Sequence, residues 1–127
     1  MTNRRVVITG VGAITPLGND ANTFWDNIVA GNSGIDTITK VNKDDFPVHV
    51  AAEVNDFDAK DYMERKEARK MDLFTQYAVA ASKMAVEDAH LVIDESNAER
   101  VGVWIGCGIG TKKGLTRRYP LSINFLN

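Results

Sequence analysis

An α/β architecture is expected from three features of the sequence. Short β-branched runs at Val6-Val7-Ile8-Thr9 and around Val101, Val103 and Ile105 each end in a glycine-rich loop. Apolar residues recur at intervals of three and four in two stretches between them, the period of a helix with one buried face. The resulting order, β-loop-α-β-α-β, is that of an α/β protein.

The first run is apolar at successive positions, as in a strand buried on both faces of a parallel sheet. Gly10, Gly12, Pro16 and Gly18 then punctuate a loop. A helix is expected from about Asp20 to Ala30, with Asn19 or Asp20 capping its free N–H groups and Gly31 or Asn32 ending it. Phe24, Trp25, Ile28 and Val29 form its apolar stripe. Residues 32–47 read as polar loop. Val48, Val50, Ala52 and Val54 alternate as in a half-buried strand, with His49 on the opposite face. A basic helical stretch is expected over Ala59–Lys70. A longer helix follows from about Asp72 to Ala89, with Phe74, Tyr77, Ala78, Ala81, Met84 and Ala85 on one face.

Composition narrows the function. The chain has 127 residues, 44% hydrophobic and 25% charged, which suits one domain or part of one. Its net charge of -2 disfavours a general nucleic-acid binder, which needs a basic field to displace counterions. The charge is uneven: residues 1–110 carry 11 basic against 17 acidic side chains, whereas 111–127 carry Lys112, Lys113, Arg117 and Arg118 and no acid. The single cysteine, Cys107, rules out an internal disulfide. No run approaches the roughly 20 apolar residues of a membrane span, and the run after Arg4-Arg5 is too short for a signal peptide. A cytoplasmic location is expected.

Three motifs invite a chemical reading. Gly10-Val-Gly12 after a strand suggests a dinucleotide loop, but Thr15 stands where the third glycine belongs, and the helix starts late. A structural turn is the better reading. Arg65-Lys66-Glu67-Ala68-Arg69-Lys70 would place Arg65 over Arg69 and Lys66 over Lys70 on a helix, with Asp61, Glu64 and Glu67 on the other side. Such segregation is what an acidic partner needs, although charge runs are also common on plain solvated helix faces. Cys107 has no histidine brought near it by sequence, so a small buried thiol is favoured over a nucleophile. His49 and His90 lack metal-ligand spacing, and neither a metal nor a cofactor is expected.

Four segments in register carry a family resemblance: Arg4 to Gly18, Trp25 to Ile35, Arg65 to Asp72, and Val103-Trp-Ile-Gly-Cys-Gly-Ile-Gly110. Together they resemble the start of the bacterial β-ketoacyl-[acyl carrier protein] synthase II family, the condensing enzymes of fatty-acid elongation. The resemblance implies the thiolase-like fold, with this chain forming the N-terminal part of the first α/β half, and a homodimer. It implies an acyltransferase that condenses an acyl group with malonyl-[acyl carrier protein] and releases carbon dioxide. The acyl group is held as a thioester on a cysteine, and two histidines assist.

By that resemblance none of the three catalytic residues falls in this chain, which alone is expected to be inactive. Lys66, Arg69 and Lys70 match residues that dock the acidic carrier protein bearing its acyl-phosphopantetheine, and Ile109 matches a residue lining the acyl pocket. Residues 1–110 are thus read as a partial β-ketoacyl synthase N-terminal domain. Residues 111–127 read as a divergent tail from a shifted or misassembled frame, a basic peptide for nucleic acid or membrane being disfavoured by the lack of an amphipathic period. Two other classes stay open at this point: a nucleotide-binding domain, and a non-catalytic module that binds an acidic carrier through the basic helix.

Overall fold

The computed structural model describes residues 4–42 and 47–108. In chain order it contains α1 (Ala21–Val29), β1 (Ile35–Thr37), β2 (Val50–Ala52), a 3-10 turn (Ala59–Asp61), α2 (Arg65–Ala68), α3 (Leu73–Asp88) and a second 3-10 turn (Ala98–Arg100).

Helix α1 starts where its chemistry requires. Asp20 is extended and its carboxylate accepts from the Thr23 backbone N–H at 2.8 Å and the Thr23 hydroxyl at 2.6 Å. These bonds satisfy one of the donors that a helix start leaves free. At the other end Ala30 remains helical, and Gly31 takes the left-handed backbone (φ 74°) that glycine adopts without steric cost. The loop before α1 is closed by paired backbone bonds between Thr15 and Gly18, which turn the chain around Pro16-Leu17.

Strands β1 and β2 form an antiparallel pair with Ile35 opposite Ala52 and Thr37 opposite Val50. Ile38 N–H donates to the His49 carbonyl at 3.0 Å, continuing the ladder past β1. Glu53 then clasps the connecting loop. Its carboxylate accepts from the Thr39 N–H, the Thr39 hydroxyl and the Lys40 N–H. The first of these elements corrects the expectation of a polar loop over 32–47. Ile35, Thr37 and Thr39 alternate as β-branched residues, and that signal is short but present.

Helix α3 is the scaffold. Ala80, on its inner face, is fully buried, and Ala68 of α2 is nearly so. Phe57 stacks on Tyr62 and meets Tyr77 edge-on at 4.8 Å, so one aromatic cluster joins the 3-10 turn to α3. The Gly10–Gly12 loop lies across the C-terminal half of the same helix. A Cβ at Gly12 would stand 2.0 Å from the Ala81 carbonyl oxygen, and one at Gly10 would stand 2.3 Å from that of Ala85. Only glycine permits this approach.

Two expected strands do not form. Neither Val6–Thr9 nor Val101–Ile105 joins a sheet with another described segment. Backbone in a buried parallel strand bonds to neighbours on each side, and the described residues supply no such neighbour. Their side chains stay open instead: Val6 is 93% exposed, Ile8 87% and Trp104 98%.

Candidate carrier-docking site

The basic segment is not the continuous helix expected over 59–70. It is a 3-10 turn, then a break at Tyr62–Glu64, then the single-turn α2. Glu64 is the cause of the restart: it is extended (ψ 135°) and its carbonyl accepts from the Glu67 and Ala68 N–H groups. Arg69 caps α2 in helical conformation, and Lys70 follows in a further turn, its N–H bonded to the Glu67 carbonyl at 3.0 Å.

Lys66, Arg69 and Lys70 are all exposed on this turn. Their electrostatic states differ. Lys70 Nζ is paired with Glu67 at 2.7 Å, whereas Lys66 and Arg69 make no ion pair with a described residue. The expected separation of acid from base is therefore incomplete, because Glu67 reaches the basic side at i,i+3 spacing. Such a surface pair is held weakly and is screened by salt.

A cavity of about 430 Å³ adjoins the turn, lined by Lys60, Tyr62, Met63, Glu64, Arg65 and Lys83. Lys60 is paired with Asp58 at 3.0 Å, and Lys83 donates to the Tyr62 carbonyl. The Asp58 carboxyl is held below its ordinary value, first by the Lys60 backbone N–H and then by the Lys60 ammonium. Burial pushes the Tyr62 phenol up, with the nearby acids Asp61 and Asp20 adding to the effect. Lys60 and Lys83 were not singled out by sequence. No periodicity could have found them, because they reach the cavity from different elements.

The remaining candidates sit elsewhere. The Gly10–Gly12 loop is filled by α3, and its Val11 N–H already donates to the Asp88 carboxylate at 2.9 Å. A phosphate there would face that carboxylate and the carbonyl end of a helix, both negative. The dinucleotide reading has no room in this geometry. Cys107 is exposed, contrary to the buried thiol expected. His90 places Nδ1 2.9 Å from the Asp88 carbonyl, far in role from any nucleophile. Among the described residues no three His, Cys, Asp or Glu side chains cluster to hold a metal. No described helix is long and apolar enough to cross a membrane. Ile109 and the tail 111–127 lie outside the described residues.

Fold and site together define a class: an α/β segment built on one scaffold helix, presenting a basic turn. The family model for the beta-ketoacyl synthase N-terminal domain matches residues 3–123. The chain is similar to 3-oxoacyl-[acyl-carrier-protein] synthase 2 of Staphylococcus aureus, with 53% identity over 108 residues, 85% of this chain and 26% of that protein. It is 47% identical to the protein of the same name from Synechocystis sp. over 115 residues, 91% of this chain and 28% of that one. Among solved structures it resembles the ishigamide ketosynthase/chain length factor, with a TM-score of 0.64 and 38% identity over 70% of this chain and 22% of that one. A second likeness is to a type II PKS acyl-carrier protein in complex with its ketosynthase, with a TM-score of 0.53 and 30% identity over the same shares. The chain belongs to the beta-ketoacyl synthase family, as part of its N-terminal domain, and has the α/β fold of ketosynthases. It spans about a quarter of the length of the curated relatives it matches.

Proposed function

We propose that this chain is a portion of a cytoplasmic, homodimeric condensing enzyme of fatty-acid elongation, and that its own part in the reaction is recognition. The enzyme joins an acyl group to malonyl-[acyl carrier protein] with loss of carbon dioxide, adding two carbons. Lys66 and Arg69, with Lys70 in a lesser role, receive the acidic carrier protein, while Ile109 lines the acyl pocket. The observation that carries this reading is the pair of exposed cations Lys66 and Arg69, which make no ion pair with a described residue, in a chain of this family.

Two features support it. One solved relative is itself a ketosynthase in complex with an acyl-carrier protein. Charges on an exposed turn also act mainly by steering and by fixing register, which suits a partner that must dock and leave each cycle. The test is binding of a purified acyl carrier protein to the chain at two salt concentrations. Saturable binding that weakens with salt, and that is lost on joint Lys66→Glu and Arg69→Glu substitution, supports the proposal. Unchanged affinity in the double variant removes it.

A further inference from the structure

The cations of the docking turn sit on a helix that cannot hold itself. Helix α2 is four residues long, far below the length at which an isolated helix persists. Its last carbonyls accept only from the next turn, Arg65 from the Arg69 N–H, Glu67 from the Lys70 N–H and Ala68 from the Met71 N–H, so nothing within the segment anchors it to the rest of the protein. One side chain of α3 supplies that anchor. The Gln76 carboxamide Nε2 donates to the Ala68 carbonyl at 2.9 Å and to the Met71 carbonyl at 3.2 Å. The first acceptor ends α2 and the second follows Lys70, so one amide spans the segment that carries Arg69 and Lys70.

The rest of that α3 face serves the same attachment. Gln76, Ala80 and Lys83 follow at spacings of four and three, and so lie on one side of the helix. Ala80 is fully buried, and Lys83 donates to the Tyr62 carbonyl just before α2 restarts. The turn is therefore gripped at both ends by one rigid helix. Gln76 is part-buried, and so are both of its bonds to the carbonyl oxygens, which makes the loss of either donor costly.

We infer that Gln76 is a positioning residue for carrier docking: its carboxamide fixes the C-terminal turn of α2 and thereby the placement of Lys66 and Arg69. The inference rests on the carrier-docking reading and adds to it a residue that touches no partner. Gln76→Met keeps the side chain's length and removes both donors. Gln76→Glu keeps the shape and sets a carboxylate against two carbonyls.

The experiment measures the affinity of the full chain for an acyl carrier protein, across a salt series, in two backgrounds. One background is otherwise unaltered and the other carries Lys66→Ala and Arg69→Ala. In the unaltered background Gln76→Met should weaken binding roughly three- to tenfold, the range for one well-placed hydrogen-bonding group, and should flatten the salt slope. In the second background it should have less than a roughly twofold further effect, because of the residues it positions only Lys70, already shared with Glu67, remains. Far-UV circular dichroism and the α3 amide resonances should be unchanged. An equal loss in both backgrounds, or no loss in the first, overturns the inference while leaving the docking reading standing. If Lys66→Ala and Arg69→Ala alone leave affinity unchanged, the docking reading falls and the positioning role falls with it.

Discussion

Val11 donates its backbone N–H to the Asp88 carboxylate at 2.9 Å, joining residues 77 positions apart and tying the glycine loop to the end of α3. This bond gives the Gly10–Gly12 motif its purpose. The glycines let backbone meet helix, and the amide between them finds a charged acceptor there. Charge-assisted bonds of this kind are among the stronger ones, although this one is exposed.

Gly12→Ala tests that packing. The added methyl would stand 2.0 Å from the Ala81 carbonyl oxygen, a backbone atom that cannot swing aside. The loop should lift from α3, and Val11 should lose its protection from hydrogen exchange. Overpacking typically costs about 1–3 kcal/mol. Retention of Val11 amide protection in the variant would contradict the account.

The start of α1 should be sensitive to acid. The Asp20 carboxyl is held below its ordinary value, first by the Thr23 hydroxyl and then by the Thr23 N–H. A lowered folded-state pKa contributes stability above the unfolded value of about 3.9, and that contribution is lost as pH falls through the folded value. Glu53 carries the same sign, held down first by the Thr39 hydroxyl and next by the Lys40 N–H. Helix content and the 38–54 clasp should therefore be steady from neutral pH to about pH 5 and decline below about pH 4. Asp20→Ala should remove the α1 part of the acid transition, with a cost of about 0.5–1 kcal/mol for the lost cap. An acid profile identical in that variant would count against the cap.

The three cations proposed to dock the carrier should not be equal. Lys70 is shared with Glu67, so Lys70→Ala should change carrier affinity less than Lys66→Ala or Arg69→Ala, by roughly twofold against roughly fivefold. Glu67→Gln frees Lys70 and removes an opposing charge, and should strengthen binding. A titration series on the four single variants checks the order.

The open apolar surface has its own consequence. Val6, Ile8, Val103 and Trp104 are all more than three-quarters exposed, which is unusual for so many large apolar side chains. Such surface and unpaired backbone promote association. The chain should self-associate with rising concentration by sedimentation velocity, and Val6→Lys with Trp104→Ser should shift it toward monomer. A monomer at all concentrations would refute this.

Much of this architecture is legible from local chemistry. Asp20 and Gly31 place the ends of α1 to within a residue, because a cap is set by its own side chain, but the buried face expected of Phe24, Trp25, Ile28 and Val29 does not form against a described residue: Trp25 is 64% and Val29 69% exposed. Helix α3 is legible from the three-and-four spacing of its apolar residues alone, since Asp72 at its start makes no side-chain cap bond. The basic segment is not, since it breaks at Tyr62–Glu64, where Tyr62 meets Phe57 and takes a bond from Lys83, contacts that periodicity does not encode. The β-branched runs at 6–9 and 101–105 show what those residues are fit to do, and pairing needs a partner strand that sequence pattern cannot supply. For Lys66, Arg69 and Lys70, exposure could be read in advance, and the diversion of Lys70 to Glu67 could not.

The central claim is that Lys66 and Arg69 receive an acidic carrier protein. The most direct measurement is a titration of the isotope-labelled chain with an acyl carrier protein, followed by backbone amide shifts. Saturable shifts concentrated on residues 64–71 are expected, fading as salt rises and absent when Lys66 and Arg69 are both Glu. Shifts centred elsewhere, or undiminished in that double variant, would contradict it.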